Sequence, residues 1–187
     1  MKKSKNLIMA AALLIAVTML AAFNFKETKK ESSRPAAVMV PDWERAKAYT
    51  LEYLNASTDE VINFKPTAEM RTFGQQMLHL AEANYGFAST ASGKANPVAF
   101  GSLEKSDKYK TKDAVAKEVM ASYDFVIAAV HEMPESKMGE MVKLFNKFDV
   151  SRGAAMEKAF EHQTHHRGQT TVYLRLKGIT PPQEKLF

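Results

Sequence analysis

The stretch FEHQTHHRGQTTVYLRLKG, residues 160–178, holds three histidines within five positions, His162, His165 and His166. It belongs to a segment that begins after Ser151, a good helix N-cap, and that must end at Gly178 because Pro181 and Pro182 block continuation. Stepping alternately four and three residues along this helix places Ala155, Ala159, His162, His166, Gln169, Tyr173 and Leu176 on one seam. A neighbouring row, Met156, Phe160, Gln163, Arg167, Thr170 and Leu174, begins and ends apolar and fits a buried flank. His165 falls with Lys158 and Glu161 on the polar side. Two of the three imidazoles, one turn apart, therefore stand where core residues belong.

Three further segments show helical spacing. The first runs from about Asp42 to Asn55, with Trp43, Ala46, Tyr49, Tyr53 and Leu54 at steps near three and four. Thr72 and Gln75 form a capping box that announces the second, expected to run to about Thr90. The third starts near Thr111 and carries Val115, Val119, Tyr123, Val126 and Val130 on one face before stopping ahead of Pro134. Two longer connections remain. Residues 91–110 are rich in Gly, Ser and Lys, and within 134–150 the run EMVKLFNKF reads as either an extended segment or a short helix, with no hairpin signal. The expected fold class is all-α, a four-helix bundle with long connections.

The N-terminus reads differently from the rest. MKKSKN carries three lysines, and Leu7 to Phe23 contains no charge and one polar side chain, Thr18. This is the layout of an export signal over residues 1–22, cleaved near Ala21 or Ala22 or kept as a membrane anchor. Residues 23–40, containing KETKKESSRPAAV, follow as a flexible linker. The helical domain then spans residues 41–187, and the expected location is extracytoplasmic. With no cysteine in 187 residues, thiolate chemistry, thiolate metal ligation and disulfides are excluded. Loss of Lys2, Lys3 and Lys5 with the leader lowers the formal charge from +5 to +2, which is not the balance of a nucleic-acid-binding protein.

A helical HxxxH pair alone fits either a metal site or two hydrogen-bonded core imidazoles. His79, in line with Gln76, Ala83 and Gly86 on the second helix, adds a third ring on an inward stripe. Burying three such rings is costly unless they share a partner, and a divalent cation is the simplest one. His131, beside Glu132 and Pro134, has no such company and reads as a surface residue. The small residues Ala83, Gly86 and Ala159 fit either a cavity beside the site or close helix packing. Gln169 and Tyr173 continue the seam and are candidates for orienting a ligand or substrate; Gln169 fits a purely structural hydrogen bond as well. Asp124, which interrupts the apolar third helix, is a candidate carboxylate for hydrogen-bonding a ligand histidine, or else a solvated one. Glu161 and Glu82 offer no clear general base, and the catalytic residue stays unassigned.

The combination of MRTFGQQMLHLAEANYGF with EHQTHHRGQTTVYLRLKGITPP resembles the DinB/YfiT-like family of metal-dependent enzymes, from about Trp43 to Pro182. The HxxxHRGQ block is the most specific part of the resemblance. It implies a four-helix bundle, often a homodimer, binding one divalent ion through residues that map to His79, His162 and His166. Zn, Ni and Fe all suit such ligands, and three imidazoles leave a coordination position open. The implied activity is that of a hydrolase or a thiol or group transferase acting on a small molecule. The alternative is a non-catalytic metal-binding helical module. The export signal departs from the thiol-dependent relatives and argues against a cytosolic thiol cosubstrate.

Overall fold

A computed structural model describes residues 34–187; the expected leader 1–22 and residues 23–33 of the expected linker lie outside the described residues. Eight elements follow in order: α1 (Ala36–Ala56), α2 (Asp59–Ile62), α3 (Phe73–Ser92), α4 (Lys112–His131), a 3₁₀ turn (Glu135–Lys137), strands β1 (Met141–Leu144) and β2 (Phe148–Ser151), and α5 (Arg152–Leu176). The four long helices form the bundle. Each packs mainly on two others, in the cyclic order α1, α4, α3, α5, so that α3 shares its two sides between α4 and α5.

The helix starts follow from local chemistry. Thr72 accepts from the Gln75 N–H while the Gln75 side chain accepts from the Thr72 N–H, closing the expected capping box. Thr111 and Ser151 accept from the N–H groups of Ala114 and Ala154 and start α4 and α5. Helix α3 ends at Gly93, whose φ of 82° suits only a residue without a Cβ. Its buried side chains, among them Phe73, Met77, Leu78, Leu80 and Ala81, point in several directions, as a central helix requires.

Three features differ from the sequence expectation. Helix α1 begins at Ala36 rather than Pro41, so the last part of the segment read as linker is helical, with Pro41 inside the helix and Met39 buried in the core. Helix α2 places Val61 and Ile62 in the core, and Ile62 comes so close to α3 that a Cβ on Gly74 would lie 2.9 Å from its Cγ2. The fold is thus five helices rather than four. It also carries a two-stranded antiparallel hairpin, in which Met141 pairs with Ser151 and Leu144 with Phe148. Its turn residues Phe145 and Asn146 have φ of 52° and 56°, and the Lys147 N–H donates to the Leu144 carbonyl. Phe-Asn lacks the glycine that marks such turns, and both strands are largely exposed, so neither turn chemistry nor alternation betrayed the hairpin. No helix among the described residues is long and apolar enough to cross a membrane.

Candidate metal centre

Helices α3 and α5 bring His79, His162 and His166 together. The ring centroids are 5.3 Å apart for His79 and His162, 4.6 Å for His79 and His166, and 4.3 Å for His162 and His166. One ring nitrogen of each lies within 4.8 Å of the others. Tetrahedral coordination at about 2.1 Å sets ligand nitrogens about 3.4 Å apart, which small ring rotations reach. His165 is exposed, as its row predicted, and His131 is on the surface, as its position beside Glu132 and Pro134 suggested.

Hydrogen bonds select the tautomers. Glu104 sits 2.7 Å from Nδ1 of His79 and also pairs with Nε of Arg71 at 2.6 Å. Burial raises its pKa, but the hydrogen bonds to His79 and Arg71 outweigh that and hold the carboxyl down at about 2. An ionised Glu104 can only accept, so His79 donates from Nδ1, and Nε2 is the nitrogen it can offer a cation. Similarly, Nδ1 of His166 donates to Oε1 of Gln76 at 3.1 Å, Gln76 donates to Gln169, and Gln169 donates to His165 at 2.8 Å. Gln169 therefore acts at one remove, by fixing the amide that fixes His166. Nδ1 of His162 is buried with no hydrogen-bond partner, an orphan that a cation or its ligands would satisfy. The donor set fits a divalent ion: three imidazoles, two of them oriented by hydrogen bonds at Nδ1 and the third with an unpartnered ring nitrogen.

The electrostatics agree. Burial, then the neighbouring histidines and Arg71, push the His162 pKa down to about 4 and that of His166 to about 3. In the metal-free protein the unfolded chain therefore takes up protons near pH 6.5 while the folded chain resists until about pH 4 or below. Stability is greatest above pH 6.5 and falls as pH drops toward 4, by up to about 1.4 kcal/mol per pH unit for each ring. Thermal melts of metal-free protein between pH 7 and 4.5 should show this slope, and His166→Ala should flatten it.

Glu104 was hidden from sequence reading because it lies in the polar connection 91–110, where no periodicity marks any side chain. Glu82 explains its placement. Only 1% exposed, Glu82 accepts from the backbone N–H groups of Gly101 at 2.7 Å, Leu103 at 2.5 Å and Glu104 at 3.4 Å. Although His79, Glu82 and Glu104 also cluster within ligand reach, Glu82 is committed to these amides and Glu104 to Arg71 and His79. The three imidazoles remain as the cation set. Glu104→Gln keeps the shape but removes the charge, and should weaken Zn²⁺ binding roughly 10- to 100-fold in a competition titration.

Tyr173 donates to the Arg71 carbonyl at 2.9 Å and so positions Arg71 rather than touching a histidine. Asp124 does not join the site: it lies 62% exposed on the outer face of α4 and pairs with Lys47. Leu176, placed on the seam, is also exposed, because the buried flank of α5 turns toward Gln163, Arg167 and Thr170. Ala83 and Ala159 are packed in the core, while Gly86 makes room for the Phe145 ring, which stacks edge-on against Phe87 at 5.0 Å. Phe87 lies 5.8 Å from His162, and the exposed Phe100 lies 5.9 Å from His79. Two clefts of about 480 and 390 Å³ share Glu69, Met70 and Arg71; one is lined by Glu104 and Phe100, which contact His79, and the other by Gln76, which holds His166, and Gln169.

The profile of the DinB family matches residues 28–186. A protein of Bacillus subtilis strain 168, the uncharacterized protein YrdA, is 27% identical over 146 residues, covering 75% of this chain and 81% of its own length. Among solved structures, a DinB-like protein from Bacillus cereus ATCC 10987 superposes with a TM-score of 0.62 at 20% identity, over 78% of this chain and 94% of that one. The DinB-like protein YjoA of Bacillus subtilis gives 0.58 at 17% identity, over 79% and 95%. These two likenesses establish the shared fold.

Proposed function

From the premise that this chain belongs to the DinB family, we propose that it is an exported metal-dependent enzyme, a hydrolase or a thiol or group transferase acting on a small molecule. The observation that carries the reading is the convergence of three imidazoles from α3 and α5, with Glu104 and Gln76 orienting two of them through Nδ1. Zn²⁺, Ni²⁺ or Fe²⁺ bound there would supply Lewis acidity to an oxygen or thiol group at the coordination positions that three protein ligands leave open. The protein's own part is to orient. Glu104 and Arg71 hold His79, the Gln76–Gln169 pair holds His166, and the rings of Phe87, Phe100 and Phe145 offer apolar surface beside the cluster. The lysine-led apolar run Leu7–Phe23 supports export, with a periplasmic or secreted location or an anchor in the membrane. Homodimerisation is part of the same reading, and nucleic acid is not an expected partner.

The test is elemental analysis of the purified protein followed by assay of ester and thiol-transfer substrates with and without the ion. Close to one ion per chain, and turnover that chelation abolishes and the ion restores, support the enzyme. An ion that raises the melting temperature but exchanges no exogenous ligand supports the second reading, a non-catalytic metal-binding module in which the ion staples α3 to α5.

A further inference from the structure

A groove of about 400 Å³ lies between α1 and α5, with the C-terminal residues 181–186 supplying part of its wall. Its lining shares no residue with the histidine cluster or with the two clefts beside it. One of its residues is Arg167, the arginine of the HRGQ block, which is only 7% exposed. Arg167 donates from Nη1 to Oε1 of Gln163 at 2.7 Å and to Oγ1 of Thr50 at 3.4 Å, and its guanidinium lies 4.5 Å from the centre of the Tyr49 ring. No carboxylate among the described residues pairs with it. A buried cation without a counter-ion is costly, and these bonds leave the Nε and Nη2 donors of the fork for a ligand.

Two turns further on, Arg175 lines the same groove and also lacks a carboxylate partner among the described residues. Arg45 and Lys185 add positive charge to the lining, though they are paired with Asp42 and Glu52. Glu184, which is exposed, is the one acid among the lining residues. Hydroxyls complete the wall: Tyr49 lies 3.4 Å from Tyr53, and Tyr53 lies 2.9 Å from Thr171. Gly168 faces the groove with open space where a Cβ would stand.

We propose that this groove is a second ligand site, for a small organic oxyanion whose carboxylate or phosphate lies between Arg167 and Arg175 and whose flat apolar body lies against Tyr49. A guanidinium fork matches an oxyanion in geometry as well as charge, and a ring at van der Waals distance favours a planar substituent. The histidine cluster takes no part in this binding.

Isothermal titration of the full chain with benzoate and with inorganic phosphate, at constant ionic strength, tests the site. It should be run in the wild type and in a His162→Ala background, so that an anion seated on the cation is recognised. Saturable one-site binding of either anion is expected in both backgrounds. Arg175→Gln, an exposed change, should weaken it about tenfold, equivalent to about 1.4 kcal/mol. Gly168→Leu, which fills the groove from a position with free space, should abolish it while leaving the melting temperature intact. The proposal is overturned if neither anion binds saturably, if binding vanishes in the His162→Ala background, or if both groove variants bind as the wild type does.

Discussion

Alanine at His79, His162 or His166 should drop the bound divalent ion from about one per chain to a trace, whereas His165→Ala should stay loaded. The contrast within one helix makes the test sharp, since His165 and His166 are adjacent in sequence with rings 4.9 Å apart. Residue 165 is exposed and hydrogen-bonded by Gln169; residue 166 is 8% exposed and faces His79 and His162. Removing a group that merely orients a ligand weakens metal binding by about 10- to 100-fold, and removing one of three ligands must exceed that. Any metal-dependent turnover should vanish with the ion. Equal metal retention in all four variants would rule out the three-imidazole site. The folded state should survive each change, because none of the three rings belongs to the hydrophobic core.

How much of this was readable beforehand depended on whether a residue's role repeats along its helix. His79, His162 and His166 stand on helices with regular caps, so counting turns was enough to bring them to one interior. The same counting misplaced Leu176, because the buried flank of α5 turns toward Gln163, Arg167 and Thr170: Tyr123 donates to Gln163 at 2.9 Å and Arg167 donates to Thr50, which pairs with Tyr123. That row begins and ends apolar, at Met156 and Leu174, which is why it was legible as a buried flank, whereas its polar partners on other helices were not. Loop-borne groups carry no period at all. Glu104 reaches His79 from a Lys- and Ser-rich connection, and Phe145 reaches Phe87 from a turn whose left-handed residues are Phe and Asn. Their placement is decided by what the loop is tied to.

Glu82 is that tie, and Glu82→Gln should be the most damaging single change outside the ligand set. The carboxylate accepts three backbone N–H groups from residues 101, 103 and 104 in a site sealed from water. A glutamine of the same shape can still accept with one oxygen, but its NH₂ must face an N–H donor, leaving at least one buried donor unmatched. That costs about 1 to 3 kcal/mol, or a fall of several degrees in melting temperature for a domain of this size. The second consequence is specific to the site. With residues 101–104 loosened, Glu104 no longer holds Nδ1 of His79, so metal affinity should fall by the amount that Glu104→Gln alone removes. The Glu82→Gln/Glu104→Gln double variant should then bind metal no more weakly than the weaker single variant, while its stability loss remains that of Glu82→Gln. Additive losses in metal affinity would show that Glu82 acts on the histidines by some route other than Glu104. An unchanged melting temperature would show that the loop is anchored elsewhere.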